Sequence, residues 1–180
     1  SQFKECIFEI TNDYYCGSSV LIKIDNNYYL LSVAHLIKNP KTDFFTAFNN
    51  RFKIRKVDLV KYDNKLDLAL FKINFKNFET PKYINLAEKE SLNIYTAAYS
   101  SLGYSEIKGK IIKKQNNNYL ISTPTYFGNS GGAVINEKGE LTGIIKQVLY
   151  LLKFKNKKPV DVIYTVAVNL KSLKKFLKGE

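Results

Sequence analysis

The sequence predicts an all-β fold of sandwich or barrel type, built from two groups of strands and closed by one helix. Three observations carry this reading. Short runs rich in Val, Ile, Leu, Phe and Tyr recur along the chain, each bounded by polar turn residues. A stretch of weaker strand character, containing Pro81, divides them into two groups. Helical spacing is clear only in the C-terminal tail.

In chain order, the first group is expected over Phe3–Ile10, Ser19–Ile24, Tyr28–Val33, Phe44–Phe48, Phe52–Tyr62 and Asp67–Ile73. Asp25-Asn26-Asn27 supplies the polar, left-handed-tolerant residues that a hairpin turn needs. Asn74–Ser91 reads as the crossing between groups, so the units are expected at 1–80, a linker at 81–90, then 91–168. The second group is expected over Asn93–Tyr99, Ile107–Lys113, Tyr119–Ser122, Gly132–Asn136, Leu141–Leu152 and Val160–Val168, with a turn at Glu137-Lys138-Gly139-Glu140. Residues 169–179 form the helix. Asn169 is its N-cap, Leu170, Leu173 and Leu177 share one face, the lysines fall elsewhere, and Gly179 closes it. That leucine edge is expected to pack on a barrel.

At 180 residues and 45% hydrophobic, the chain suits one domain or two small barrels packed as a unit. No apolar run is long enough to cross a bilayer. The start, Ser1-Gln2-Phe3-Lys4-Glu5, lacks the basic and apolar stretches of a signal peptide, and there is no methionine. The chain therefore reads as a processed or excised piece, with an intracellular location favoured over secretion and a monomer favoured as the oligomeric state. The net charge of +12 raises a polyanion-binding β-domain as an alternative. The lysines are scattered rather than blocked, however, which favours a solvated basic surface and no specific nucleic-acid partner. Two cysteines and one histidine are too few for a zinc site, so no metal and no cofactor are expected. Whether Cys6 and Cys16 pair across a hairpin near Thr11-Asn12-Asp13 stays open at this level.

Three segments carry chemistry. Gly128-Asn129-Ser130-Gly131-Gly132 is a tight glycine turn between strands. Such a turn lifts a serine hydroxyl out of the sheet and frees backbone N–H groups, here of Gly128 and Ser130, to face an oxyanion. A serine hydroxyl is a poor nucleophile without a base, and His35 in Ser32-Val33-Ala34-His35 is the chain's one histidine. The base in turn needs a carboxylate to orient it. Asp67, opening the apolar run Leu66-Asp67-Leu68-Ala69-Leu70, fits better than Asp58 or Asp63, which lie among lysines.

Taken together, these segments resemble the three catalytic blocks of trypsin-like serine proteases, in that family's order His, Asp, Ser. The separations, 32 residues from His35 to Asp67 and 63 from Asp67 to Ser130, suit a compact member. The similarity is nearest to the Deg/HtrA-type and V8-like branches. It runs from Cys16-Gly17-Ser18 through Gly139-Glu140-Leu141-Thr142-Gly143-Ile144 to the tail. No PDZ module is expected to follow it. The resemblance implies two six-stranded antiparallel β-barrels with a C-terminal helix, the chymotrypsin-like arrangement, and a site in the cleft between them.

It also implies a serine endopeptidase that hydrolyses protein or peptide substrates through an acyl-enzyme. His35, Asp67 and Ser130 would be its triad, and the amides of Gly128 and Ser130 its oxyanion hole. The alternative within this fold is a catalytically silent binding module. Pro124, Phe127, Lys146, Gln147, Val148 and Val162 would wall the substrate pocket, with Val148 narrowing its mouth. No carboxylate falls at its base, so small or medium aliphatic side chains are expected before the cut bond. Asn129 stands where pancreatic-type members carry an aspartate, so no activation by a newly cut N-terminus is expected.

Overall fold

The computed structural model describes residues 3–123 and 130–179, with the side chains of 161 and 162 set aside. Six strands come first: β1 (Ile7–Thr11), β2 (Cys16–Ile24), β3 (Asn27–Ser32), β4 (Phe45–Phe48), β5 (Lys53–Asp63) and β6 (Leu68–Ile73). They close into a barrel in the order β1-β2-β3-β6-β5-β4. The second set is β7 (Asn93–Ser100), β8 (Gly103–Gln115), β9 (Asn118–Ile121), β10 (Ala133–Asn136), β11 (Leu141–Lys155) and β12 (Lys158–Val168). These close in the order β10-β11-β12-β9-β8-β7. Counted from its own first strand, each barrel has the same connectivity, although the halves share no recognisable sequence repeat. The two six-stranded antiparallel barrels of the expected fold are both present.

Strand alternation decides what each barrel buries. In β2 a run of wholly buried residues, Gly17 to Ile22, faces the first core on one side and neighbouring structure on the other. Ile7, Phe8, Ile10, Leu21, Leu30, Leu31, Leu68, Leu70 and Phe71 fill that core, all without exposed surface. The same cluster continues into Ala97, Ala133, Ile135, Leu141 and Val168, so the barrels pack on each other through a shared apolar layer. Ile94, Ile111, Tyr119, Ile121, Val134, Ile145 and Ala167 form the second barrel's own core.

The crossing between the barrels is strapped down by main-chain hydrogen bonds. Ile84 N–H donates to Leu21 of the first barrel, while Ala87 N–H donates to Leu141 of the second. The tail helix α1 (Leu170–Leu177) is capped as expected: the Asn169 side chain accepts from Ser172 N–H at 3.0 Å. Leu170, Leu173 and Phe176 are its buried face.

Several local readings change, among them the starts of β2, at Cys16 rather than Ser19, and of β8, at Gly103 rather than Ile107. Residues Lys4–Cys6 form a 3-10 turn, so β1 begins at Ile7 rather than Phe3. Asp67 lies in the turn before β6, not in the strand. The β11–β12 hairpin runs further than the sequence indicated, to a two-residue turn at Asn156-Lys157 with both residues at positive φ. That conformation twists the strands together without glycine.

Cys6 and Cys16 are free thiols. The hairpin near Thr11–Asp13 does form, but Cys16 lies opposite Thr11, while Cys6 precedes Ile7, four residues along the partner strand. At about 3.4 Å per residue that offset exceeds what a disulfide can span. Burial pushes the Cys6 thiol up to about 11. Burial, the hydrogen bond to Glu9 and its charge push Cys16 up to about 11 as well. Both thiols should therefore stay protonated near pH 8, and Cys16, though exposed, should react with Ellman's reagent at least about 10-fold more slowly than a free cysteine. Glu9→Gln should speed that reaction. Stopped-flow thiol titration of native and denatured protein checks both statements.

Candidate active site

His35 stands on a 3-10 turn, Ala34–Leu36, that begins two residues after β3 ends. Its neighbours Ala34 and Leu36 are buried, which fixes the turn against the first core and leaves the imidazole between them facing outward, 47% exposed. The site's carboxylate is delivered by a second turn. Asp63 Oδ1 accepts from Leu66 N–H at 2.9 Å, and buried Leu66 and Leu68 anchor the chain on either side of Asp67. Between them Asp67 adopts a left-handed backbone, φ +59, a conformation that aspartate tolerates better than most side chains.

That strained backbone aims the carboxylate at one residue. Asp67 Oδ1 accepts from the His35 backbone N–H at 2.9 Å, and Oδ2 lies 2.7 Å from His35 Nδ1. An ionised carboxylate can only accept, so in the neutral imidazole this contact requires the proton on Nδ1 and leaves the Nε2 lone pair free. Asp67 is buried while the imidazole is half open, so the pair is shielded on the carboxylate side and accessible on the other. Of its rivals, Asp63 caps the turn and Asp58 is an exposed partner of Lys56 at 3.6 Å.

Ser130 opens the described part of the glycine turn. Its carbonyl accepts from Ser18 N–H of β2 at 2.8 Å, a bond between the two barrels. Gly131 N–H donates to Ile145 at 2.7 Å, and Ile145 N–H returns a bond to Gly132 at 2.8 Å. Gly131 has φ +93, and a side chain there would collide with the Ser18 carbonyl and the Ser32 hydroxyl. At Gly17 a side chain would sit 2.8 Å from the Ser130 carbonyl. Both glycines are thus required by close approach. The Ser130 hydroxyl donates to the Lys146 carbonyl at 3.1 Å.

His35, Asp67 and Ser130 line one cleft of about 450 Å³ together with Asn64, Lys146 and Gln147. Lys146 and Gln147 were expected to flank the substrate; Val148 follows them on β11, partly buried. Pro124, Phe127 and Gly128 lie outside the described residues, and of Val162 only the backbone, opposite Leu151 on β12, is described. No cluster of three metal-ligating side chains occurs among the described residues, and no helix there is long and apolar enough to cross a membrane.

Sequence reasoning did not single out Asn64 or Ser18. Asn64 carries no local signal. Ser18 links both barrels: its hydroxyl donates to Tyr99 O at 3.1 Å and accepts from Tyr99 N–H at 2.8 Å, while its carbonyl accepts from the Ser32 hydroxyl at 2.7 Å. Its place in Cys16-Gly17-Ser18 was visible, but its partners lie up to 81 residues away.

This arrangement, two barrels with a serine turn and a histidine–aspartate pair lining one cleft, has the chymotrypsin-like fold. The chain belongs to the trypsin-like peptidase domain family, whose match covers residues 17–144. Among curated proteins it is 30% identical over 148 residues to the "Probable serine protease do-like" of Buchnera aphidicola, covering 74% of this chain and 30% of that protein. It is 32% identical over 143 residues to the serine endoprotease DegS of Haemophilus influenzae, covering 71% of this chain and 40% of DegS. It therefore spans well under half the length of these relatives. Among solved structures, the serine endoprotease from Yersinia pestis superposes with a TM-score of 0.74 at 23% identity, over 97% of this chain and 62% of that one. The M. tuberculosis Rv3671c protease in its inactive form gives 0.72 at 13% identity, over 96% and 87%. These likenesses establish the fold.

Proposed function

We propose that this chain is a serine endopeptidase in which Ser130 is the nucleophile, His35 the base and Asp67 the residue that orients the base. The observation that carries this reading is the two-point grip of Asp67 on His35, through Nδ1 and the backbone N–H, beside Ser130 in one cleft. The grip holds the tautomer in which Nε2 can take a proton. The Ser130 hydroxyl leaves the Lys146 carbonyl by rotation about its Cα–Cβ bond and gives its proton to His35 Nε2 as Oγ attacks the scissile carbonyl. His35 then passes the proton to the leaving amine, and water hydrolyses the acyl-enzyme by the same route in reverse. The Gly128 and Ser130 amides are the proposed oxyanion donors. Membership of the peptidase family supports the reading, as do relatives that are named serine endoproteases. Covalent labelling with a fluorophosphonate probe tests it. Mass spectrometry should place the adduct on Ser130, and a protein that takes no label would return the silent binding module.

For specificity we propose small or medium aliphatic residues immediately before the cut bond. Lys146 and Gln147 line the cleft, and Val148 follows them where it would narrow the mouth. Discrimination between neighbouring aliphatics should be modest, about 1–3 kcal/mol per methylene. Val148→Gly should widen acceptance toward Phe, read as a rise in relative kcat/KM in a peptide library. A wild-type profile dominated by Arg, Lys or Glu would overturn the pocket assignment.

A further inference from the structure

Beyond Ile145, β11 has a strand partner on one side only among the described residues. Gly131 and Gly132 bond to Ile145 on the other side, and past that point β11 continues to Lys155 with β12 alone beside it. The direction of each backbone group follows from the hairpin. A two-residue turn at Asn156-Lys157 makes Lys155 and Lys158 a hydrogen-bonded pair, as are Lys153 with Val160, Leu151 with Val162 and Leu149 with Tyr164. The alternate residues, Val148, Tyr150, Leu152 and Phe154, therefore turn their N–H and C=O groups to the open edge. Their side chains share one face. Three of them stand in solvent: Tyr150 is 66% exposed, Leu152 62% and Phe154 71%, with Ile163 opposite Tyr150 at 39%.

A free strand edge is usually blunted by lysine or proline to prevent pairing. Here the lysines occupy the other face and the tip, at Lys153, Lys155, Lys157 and Lys158, while the row beside the open amides is apolar. The edge also starts at the catalytic centre, since Lys146 accepts the Ser130 hydroxyl.

We propose that this edge is an extended substrate-binding strand, which pairs with an apolar, extended polypeptide segment on the N-terminal side of the cut bond. The proposal rests on the peptidase reading, in which Lys146–Val148 bind the residues next to that bond. With substrate residues numbered P1, P2, P3 back from it, an antiparallel strand places P3 against Val148, P5 against Tyr150, P7 against Leu152 and P9 against Phe154. The main chain supplies the pairing, and the side chains of P5, P7 and P9 lie beside the apolar row. The substrate class is thus unfolded or extended chain with apolar residues at alternate positions, six or more residues upstream of the cut. A short peptide would use only the start of the strand.

Ser130→Ala protein and fluorescent peptides of three to nine upstream residues test this by anisotropy, with wild-type cleavage measured in parallel. Affinity should rise roughly 10-fold or more as P5 and P7 become valine or isoleucine. N-methylation of the P5 amide should remove that gain, whereas N-methylation of P4, whose N–H points away, should not. In a Y150S/L152S/F154S variant, the affinity gained with peptide length should shrink several-fold, since only the main-chain pairing remains. Affinity independent of length, or equal length dependence in wild type and triple variant, would overturn the proposal. So would a stable dimer that the three substitutions dissociate, since the edge would then belong to a second copy. Length-dependent binding without any wild-type cleavage would support the strand and refute the peptidase reading. Cleavage without length dependence would do the opposite.

Discussion

Ser130→Ala protein should lose peptide hydrolysis by about 10⁴-fold or more, with its urea unfolding midpoint nearly unchanged. Among the described residues the hydroxyl makes one hydrogen bond, to the Lys146 carbonyl, so little of the described fold depends on it. The backbone of the same residue, which accepts from Ser18 N–H between the barrels, is untouched by the substitution. Members of a nucleophile–base–carboxylate unit act together, so losing any one removes most of the unit's contribution and the effects do not add. Ser130→Ala/His35→Ala protein should accordingly be little slower than either single variant. Progress curves for a cleaved peptide, measured at high enzyme concentration, check both values. Turnover within about 10-fold of wild type in Ser130→Ala protein would remove Ser130 from the mechanism.

Gly131→Ala should cost more than about 2 kcal/mol of stability and abolish hydrolysis as well. Two penalties coincide at this position. The backbone at φ +93 strains any residue that carries a Cβ, and the added methyl would collide with the Ser18 carbonyl and the Ser32 hydroxyl. Neither neighbour is free to yield. The Ser18 carbonyl belongs to a buried strand and already accepts from Ser32, and both residues are buried. Relief would have to come from moving the serine turn, which would break the bond from Gly131 N–H to Ile145 and displace Ser130 from the His35 side of the cleft. The expected result is a lower urea midpoint together with loss of fluorophosphonate labelling. A variant that labels at the wild-type rate would show that the turn tolerates the shift.

The hydrophobic strand runs and their turns were legible because burial and turn chemistry are local properties. Alternation and continuous apolar runs mark strands such as Tyr28–Val33 and Asn93–Tyr99 within a residue or two. The cap at Asn169 and the buried Leu170 and Leu173 of α1 were equally plain, although Phe176 rather than Leu177 completes that buried face. Local pattern missed the early start of β8 at Gly103 and the reach of β11 and β12. The turn that joins them, Asn156-Lys157, has no glycine, and lysines interrupt the apolar pattern before it. The separation of Cys6 and Cys16 also escaped, since it depends on the register of β1 against β2.

For the site, the sequence alone determined which residue types were on hand: one histidine, a glycine-flanked serine, and an aspartate set among apolar residues. Scarcity and local environment singled these out, and the order of the segments linked them to a family. The tertiary structure decided everything that needed two distant segments to meet. It selected Asp67 over Asp58 and Asp63 by giving it a left-handed backbone that turns both carboxylate oxygens toward His35. It made Ser18 the clasp between barrels and, among the described residues, left the outer edge of β11 without a strand partner beside Ser130. The physical reason is the same in each case. Local propensity sets the conformation of a few residues, while hydrogen-bond partners tens of residues apart are set by barrel closure and register, which no short window of sequence contains.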